Sequence, residues 1–313
     1  MLPGIVCVGL VTGYGSVDSE IARQTWLALQ DAVASGTVDR IDHIDTVDTR
    51  DRAVNIAYFT EADYDIIVTT GAGIANETVA AAEQKPDVLF IVVQPAHEAL
   101  VTPQNLVKFE FREEQGGFLA GAAAAMVTRT HRVAAVCEAK YIDYVERYCE
   151  GFAAGAEYVD GQVQAAVIYR DGAEELLFQD TEWGKATAAG VITDGADVVF
   201  AVGENTARAA LLEAAGEGAL VIGAQTDAYD EQTEIREQLV TSAILEVRKG
   251  LPLLISHLLN RQPPPVTFWG DVGLAPFREF ESHLPPGATA QLSRIQTDLK
   301  GGTLEPNTSF EAP

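Results

Sequence analysis

Four segments of the sequence place glycine or polar residues directly after an apolar run and just before a helical pattern. These segments are residues 12–16, 69–73, 138–141 and 202–206. Free backbone N–H groups at the start of a helix can bind a polar group of a small molecule. Because ligands of parallel sheets lie beyond the carboxyl ends of the strands, the sequence predicts its chemistry at these four places. The chemistry that they favour is the binding of a polar ligand.

One of these segments partly matches a dinucleotide-binding fingerprint. Gly71-x-Gly73 follows a strand-like run and opens a helical pattern, but Asn76 stands where the third glycine is required. The next strand-like run, 88–93, ends at Gln94 and lacks the acidic residue that binds a ribose. A dinucleotide-dependent enzyme is therefore the least favoured interpretation.

The sequence shows no other motif for catalysis or metal binding. It lacks a GxxxxGK[ST] loop, a GxSxG elbow and an HExxH pair, and its 5 histidines are scattered. Cys7, Cys137 and Cys149 are odd in number and lack the spacing of a zinc site, so we expect buried free thiols. We predict no enzymatic activity, no catalytic residue, no cofactor and no metal.

The composition excludes several classes of partner. The chain has 313 residues, with 21 Lys plus Arg against 46 Asp plus Glu and a formal net charge of −25. Such a charge repels phosphate backbones and anionic lipids, which argues against nucleic-acid binding and membrane-surface roles. Hydrophobic residues make up 47% of the chain, a globular proportion, yet no apolar run approaches the roughly 18 residues of a spanning helix.

Short β-branched runs alternate with alanine-rich helical segments along the chain, which is typical of an α/β fold with parallel sheets. The predicted strands are residues 5–11, 41–46, 66–69, 88–93, 132–137, 164–168, 198–201 and 220–223. The predicted helices are residues 20–35, 50–61, 74–84, 116–128, 144–159, 182–193, 205–215 and 246–260.

The distribution of these elements and the chain length both predict two similar lobes. The first lobe comprises residues 1–110 plus 243–270, and the second comprises 111–242. Residues 108–112 are expected to be an extended crossing between them. The proline-rich remainder, 271–313, is expected to form a closing segment packed across the lobes.

Four segments of the chain carry a resemblance. They are residues 64–71 (YDIIVTTG), 111–121 (FREEQGGFLAG), 147–156 (RYCEGFAAGA) and 272–277 (VGLAPF). In this order they resemble the segments YDLIIGxG, FxEExGSFLAG, RFxxGFxAGA and VGLAPF of the basic membrane protein family, the purine-nucleoside-binding type I periplasmic binding proteins of ABC importers. The resemblance implies a type I periplasmic binding protein fold, with two doubly wound parallel-sheet lobes joined by several hinge crossings.

The same resemblance implies a solute-binding protein that captures a small heteroaromatic ligand, a purine base or a nucleoside-like molecule, between two closing lobes. Family members sandwich a purine between aromatic side chains, and the matching positions here are Trp26 and Tyr148. The family's polar positions are changed: Asp18 is kept, but Ala22, Gln225 and Leu245 replace an asparagine, a carboxylate and a lysine. Amide side chains both donate and accept hydrogen bonds, which suits the edge of a bare ring better than a ribose.

The candidate ligand-binding residues come from these loops and from the resemblance. They are Tyr14, Asp18, Trp26, Thr70, Gly71, Gln94, Tyr148, Gly203, Asn205, Gln225 and Asp227.

Partner and location follow from the resemblance as well. We expect a monomer that delivers its ligand to an ABC permease complex. It would lie in the periplasm or on the extracellular face, as a membrane-anchored lipoprotein whose signal segment is absent from this chain. The alternative is a ligand-sensing regulatory protein of the same fold.

Overall fold

The computed structural model describes residues 4–13, 15–17, 20–95 and 102–306. Two of the predicted ligand-binding residues, Tyr14 and Asp18, lie outside the described residues. Among the described helices, none combines the length and the apolar character needed to cross a bilayer.

Short strands and helices alternate along the described chain. The strands are β1 (Cys7–Thr12), β2 (Arg40–Ile44), β3 (Ile66–Thr70), β4 (Leu89–Val93), β5 (Leu106–Phe111), β6 (Arg132–Cys137), β7 (Gln164–Tyr169), β8 (Val198–Val202), β9 (Leu220–Gln225), β10 (Leu239–Leu245), β11 (Thr267–Gly270) and β12 (Val272–Leu274). The α-helices are α1 (Glu20–Ala34), α2 (Arg52–Glu61), α3 (Ala75–Gln84), α4 (Glu113–Val127), α5 (Asp143–Val159), α6 (Thr181–Thr193), α7 (Glu204–Gly216), α8 (Ala228–Glu231), α9 (Val247–Leu259) and α10 (Ala288–Lys300).

The chain divides into two compact units. The first contains Met1–Phe111 and Glu246–Asp271, and the second contains Arg112–Leu245 and Val272–Pro313. The chain therefore passes between the units at three points. Within the described residues, each unit holds one six-stranded sheet.

The two sheets share one pattern of strand order. The first unit has the order β2-β1-β3-β4-β5-β11, and every pair in it is parallel. The second has the order β7-β6-β8-β9-β10-β12, and its described pairs are parallel except for the antiparallel pair β10–β12. The predicted α/β fold with two parallel sheets is confirmed.

Burial on both faces explains why the central strands read as continuous apolar runs in the sequence. All five residues of β3 and all five of β8 are buried. Helices α4 and α5 of the second unit pack closely because glycines stand at their interface. A Cβ at Gly121 would lie 1.9 Å from the carbonyl oxygen of Phe152, and a Cβ at Gly155 would lie 2.0 Å from that of Phe118. Only hydrogen fits at these two positions, so the helix backbones meet directly.

Most of the expected crossing at residues 108–112 belongs to strand β5 (Leu106–Phe111) of the first sheet, which the sequence prediction did not include. The chain passes to the second unit directly after this strand, between Phe111 and Arg112. Two charged residues obscured this strand in the sequence, and they neutralise each other, since Lys108 Nζ lies 3.0 Å from Glu110 Oε1. The ion pair lets a strand with alternate charged positions stay buried.

The segment after Asp271 contains a strand and a helix that the sequence prediction did not include. Strand β12 pairs with β10, and α10 buries Ala288, Leu292, Ile295 and Leu299, which have helical spacing. The side chain of Gln115 donates to the carbonyl oxygen of Leu299, and that of Gln296 donates to Val272 O. These contacts lie within the second unit.

The prediction of three free thiols is wrong for two of them. Cys137 and Cys149 form a disulfide, with 6.6 Å between their Cα atoms. Cys137 ends β6 and Cys149 lies on α5, which packs on that strand. The chain leaves the strand and returns along the helix, so the 12-residue separation brings the sulfurs together although it matches no short disulfide motif. Cys7 is free.

Candidate functional site

In the first unit, the loops after β1 and β3 approach each other at the carboxyl edge of the sheet. A Cβ at Gly13 would lie 2.4 Å from the carbonyl oxygen of Thr70, so glycine is required there. Arg52 joins the two loops: its Nε donates to Gly13 O over 2.7 Å, and its Nη1 donates to Gly73 O. The sequence analysis missed this arginine, because nothing in its neighbourhood separates it from a surface residue.

Thr70, Gly71 and Gln94 lie together at the same edge. Thr70 is paired in register with Val93, so Gly71 and Gln94 are the next residues on adjacent strands. Gly71 has φ of 90° and its N–H donates to Val93 O. Gln94 has φ of 51°, is only 8% exposed, and its N–H donates to Phe109 O. The structure thus brings these three predicted residues together.

Trp26 lies on α1 and faces the edge strand β2. Its ring packs against that of His43 in a tilted arrangement, with 4.8 Å between centroids and 59° between planes. Trp26 is half-buried, whereas Ala22, one turn earlier, is buried. The indole of Trp26 therefore keeps an accessible surface. Ala22, which stands where the resemblance implies an asparagine, has almost none.

In the second unit, a buried carboxylate organises the carboxyl ends of β6, β7 and β8. Glu138 Oε1 accepts from the Ala139 N–H over 3.1 Å and from Arg170 over 3.3 Å. Its Oε2 accepts from the N–H of Phe178 and the hydroxyl of Thr206, each over 2.9 Å. With four donors on one carboxylate, the loop of Phe178 is fixed to the sheet.

Arg170, the first residue after β7, closes this network. Its Nε donates to Asp180 Oδ2 over 3.0 Å, and its Nη2 donates to Ala173 O over 2.6 Å. Asp180 in turn caps α6 by accepting from the N–H of Trp183. The network therefore holds residues 170–180 at both ends.

Gly203 and Asn205 follow β8 at the centre of this edge. Gly203 has φ of 130°, and a Cβ there would lie 2.6 Å from the Cβ of Glu138. The Asn205 amide donates to Gln179 Oε1 over 3.0 Å. Both predicted residues therefore sit beside the loop that Glu138 holds.

Gln225 ends the neighbouring strand β9. Phe200 pairs with Ile222, so the same register places Gly203 beside Gln225. Gln225 has φ of 64° and is 5% exposed. Within the described residues, no hydrogen bond satisfies its side-chain amide. Its amide is therefore available to form hydrogen bonds with a ligand, as a donor and as an acceptor.

Asp227 has structural partners. Its carboxylate accepts from the Tyr229 N–H at the start of α8 and forms a two-point ion pair with Arg278, at 3.1 and 2.8 Å. The guanidinium groups of Arg236 and Arg278 lie 4.3 and 4.2 Å from the centroid of the Tyr229 ring. Asp227 thus anchors the C-terminal segment of its unit, and we leave it out of the proposed site.

Tyr148 is also a core residue. It is 0% exposed, and its hydroxyl donates to Ala243 O over 3.4 Å. The reason is the close approach of α4, on which a Cβ at Gly117 would lie 2.0 Å from Tyr148 O. Phe178, whose backbone has φ of 62°, is a half-buried aromatic residue beside the Glu138 network. The sequence analysis missed it, and the signal that could have found it is its position two residues before Asp180, a typical helix-capping residue.

Three non-glycine residues share an unusual backbone conformation at these strand ends. Gln94, Glu204 and Gln225 have φ of 51°, 46° and 64°. Left-handed backbone is uncommon outside glycine and concentrates at functional sites, because the surrounding fold must hold it there. The three positions follow or end β4, β8 and β9, where ligands of parallel sheets bind.

Several known proteins are similar to this chain in sequence or structure. Residues 8–266 match the Bmp family, described as ABC transporter substrate-binding protein PnrA-like. The CD4+ T-cell-stimulating antigen of Listeria monocytogenes is 26% identical over 237 residues, covering 72% of this chain and 64% of the relative. The chain therefore spans just under two thirds of the length of that relative.

Two solved structures are similar over nearly the whole chain. A transcriptional activator of the comK gene from Bacillus halodurans has a TM-score of 0.79 and 19% identity, covering 96% of this chain and 100% of its own. An ABC transporter solute-binding protein from Conexibacter woesei has a TM-score of 0.78 and 18% identity, covering 98% and 100%. At this identity the similarity shows the fold, which is the predicted type I periplasmic binding protein fold. Since the family match runs through both units, the chain belongs to the Bmp family of PnrA-like substrate-binding proteins, a family of binding proteins and not of enzymes.

Proposed function

We propose that this protein is the extracytoplasmic solute-binding component of an ABC importer, and that its ligand is a small uncharged heteroaromatic molecule of the nucleobase type. The family membership supports the transport role. The ligand class is supported by the side chains at the carboxyl edges of the two sheets.

The observation that carries the ligand class is the pair Gln94 and Gln225. Each unit presents one glutamine, at the carboxyl end of a strand, in left-handed backbone and less than one tenth exposed. An amide can donate to a ring nitrogen or carbonyl oxygen and accept from a ring N–H or an amino group. Each of these amides suits the mixed donor and acceptor edge of a nucleobase.

Two other positions, 22 and 245, argue against a ribose. The side chains of Ala22 and Leu245 are buried and apolar, and the resemblance assigns these positions to an asparagine and a lysine. A sugar would need charged or amide partners for its hydroxyl groups, because a site selects hydroxyls through such hydrogen bonds. We therefore expect a base to bind more tightly than its nucleoside.

Aromatic surface for stacking is available in each unit. Trp26 is half-buried in the first, and Phe178 is half-buried in the second, where Glu138 fixes its backbone. Stacking on an aromatic face contributes about 0.5–1.5 kcal/mol beyond the burial of area. The proposed ligand-contacting residues are Trp26, Thr70, Gly71 and Gln94 in the first unit, and Phe178, Gly203, Asn205 and Gln225 in the second.

The disulfide supports a location outside the cytoplasm. Cys137 and Cys149 are bonded, and disulfides persist in oxidising compartments but are rare in the cytosol. We propose that the native protein is exported and held at the membrane as a lipoprotein, where it meets its permease.

The test is a thermal-shift screen followed by isothermal titration. Its panel holds purine and pyrimidine bases, their nucleosides, other heteroaromatics, pentoses and hexoses. A ligand at 100 times its Kd stabilises the protein by about 2.7 kcal/mol. We expect shifts with one or more bases and smaller shifts with nucleosides. A shift with sugars alone would contradict the ligand class.

Two pairs of variants assign the binding to the proposed residues. Gln225→Met should weaken binding of the best base about tenfold or more, whereas Gln238→Met, next to the amino end of β10, should not. Trp26→Ala should remove most of the binding, whereas Tyr58→Ala, on the exposed face of α2, should leave Kd unchanged. Equal Kd values within each pair would contradict the site.

A ligand-sensing regulator is the second candidate function. One observation favours it: over 96% of this chain, the fold is similar to that of a transcriptional activator of the comK gene. Deletion of the gene distinguishes the two functions. Loss of uptake of the radiolabelled base supports transport, whereas intact uptake with altered transcript levels supports regulation.

A further inference from the structure

Glu204 is the first residue of α7 and follows Gly203 at the carboxyl end of β8. Strand β8 lies inside the second sheet, between β6 and β9. Glu204 has φ of 46°, which is uncommon for a residue with a Cβ. The fold therefore holds the backbone of Glu204 in this conformation, at the middle of the edge where the ligand is proposed to bind.

The carboxylate of Glu204 differs from the other acidic groups along this edge. Glu138 and Asp180 share Arg170, and Asp227 is paired with Arg278. Glu204 is exposed, and within the described residues it has no hydrogen-bond donor or basic side chain as a partner. Arg170 and Arg278 are thus paired with carboxylates other than Glu204.

The surroundings of Glu204 disfavour the ionised form of its carboxyl group. Partial desolvation by the neighbouring protein, together with the negative charge of Glu138, raises the pKa of Glu204 above its ordinary value. A carboxylate in such a place gains more from a donor on a ligand than one in open water would.

A second, independent feature points to a ligand at the same place. Gln225 lies beside Gly203 on the adjacent strand, is 5% exposed, and within the described residues has an amide without a hydrogen-bond partner. The carboxylate at the start of α7 and the amide at the end of β9 are therefore both available to a ligand at this edge of the sheet.

The N-terminus of a helix normally attracts anions, since its free N–H groups and its dipole favour negative charge. At the start of α7 the protein's own carboxylate already supplies that charge. A phosphate or carboxylate on a ligand would be repelled there.

We propose that Glu204 is a specificity-determining residue, which accepts a hydrogen bond from an amino group or ring N–H of the ligand and excludes phosphorylated or otherwise anionic molecules. This inference rests on the proposed binding of a nucleobase-type ligand. It narrows the ligand class to neutral or cationic nitrogen heterocycles that carry an N–H donor.

The experiment compares wild type with Glu204→Gln by isothermal titration. Two pairs of probes differ only in the amino group: adenine with purine, and cytosine with pyrimidin-2-one. AMP is the anionic probe. Glu217→Gln, at the other end of α7 and exposed, is the matched control.

Wild type should bind the amino compound of at least one pair about tenfold more tightly than its partner, with AMP weaker still. Glu204→Gln should lose most of that tenfold preference, bind AMP at least about threefold more tightly, and keep the wild-type unfolding temperature. Glu217→Gln should show none of these changes.

Two results overturn the inference in distinguishable ways. If wild type binds an amino compound and Glu204→Gln has the same Kd and the same preference, the inference fails while the proposed function stands. If wild type binds none of the bases, the proposed ligand class fails and the role of Glu204 fails with it.

Discussion

Arg170 and Glu138 form a buried ion pair, with Nη1 of Arg170 3.3 Å from Oε1 of Glu138 and 1% and 0% of the two side chains exposed. The pair joins the ends of β7 and β6, and through Glu138 it holds the loop of Phe178 and the hydroxyl of Thr206. Buried ion pairs contribute little by comparison with apolar packing, but removal of one partner is costly. This pair therefore sets the arrangement of the loops around the proposed site more than it adds stability.

We expect Glu138→Gln to lower the free energy of unfolding by about 3 kcal/mol, because the Arg170 charge loses one of its two carboxylates in a buried place. Urea denaturation followed by circular dichroism measures this. The control is Glu182→Gln, since Glu182 is 86% exposed in its ion pair with Lys185 and should change stability by less than about 0.5 kcal/mol. Equal stability of the two variants would show that the pair is not buried in solution.

We expect Gly121→Ala to destabilise the second unit by about 2–3 kcal/mol, since the new Cβ would lie 1.9 Å from Phe152 O and the α4 and α5 backbones would have to separate. Gly190→Ala on α6 is the matched control, because no atom lies within 4 Å of a Cβ there. That variant should be stabilised by about 0.5–1 kcal/mol through helix propensity. The midpoints of chemical unfolding of the two variants measure these changes. An unchanged midpoint for Gly121→Ala would contradict the direct contact of α4 and α5.

We expect reduction of the Cys137–Cys149 disulfide, or the variant Cys149→Ser, to lower the free energy of unfolding by about 2–4 kcal/mol, because the unfolded chain regains the freedom of the closed loop. Mass spectrometry of peptides before and after reduction shows whether the bond is present. Cys7→Ser is the control, since Cys7 is free, and it should respond to reductant as wild type does. An unchanged midpoint after complete reduction would contradict the stabilising role.

We expect the ion pair between α1 and α9 to make a small contribution that depends on pH. The hydrogen bond from Arg248 lowers the pKa of Asp31, with Nε and Nη2 of Arg248 2.8 and 3.0 Å from its oxygens. A carboxyl whose pKa is lowered by folding stabilises the protein above its unfolded pKa of about 3.9, and this stabilisation is lost as the pH falls through the folded pKa.

Asp31→Asn should therefore cost about 0.2–1 kcal/mol at pH 7 and low salt, since both side chains are half-exposed. The difference from wild type should shrink in 1 M salt and vanish near pH 2. Asp87→Asn, at an exposed position of the same unit, serves as the control and should show no such dependence. A difference that persists at pH 2 would contradict the ionic origin.

Much of the fold was accessible from the sequence, because local burial imposes a local pattern. A strand buried on both faces, such as β3 or β8, reads as a continuous apolar run, and an amphipathic helix such as α5 repeats every 3.6 residues. The family was accessible for a related reason, since segments such as 111–121 and 272–277 are contiguous and keep their residue types. Strand β5 was missed because Lys108 and Glu110 interrupt its apolar run. Their ion pair, which neutralises both charges, is seen only in the folded strand.

The sequence by itself determined the alternation of strands and helices, the family and the edge of the sheets where a ligand is expected, since each depends on neighbours in the chain. Only the tertiary structure decided which side chains at that edge are accessible. It buried Tyr148 under α4, paired Asp227 with Arg278, bonded Cys137 to Cys149, and held Glu204 and Gln225 in left-handed backbone at the carboxyl ends of adjacent strands. These outcomes depend on contacts between segments far apart in the chain, and no local spacing of residues encodes them.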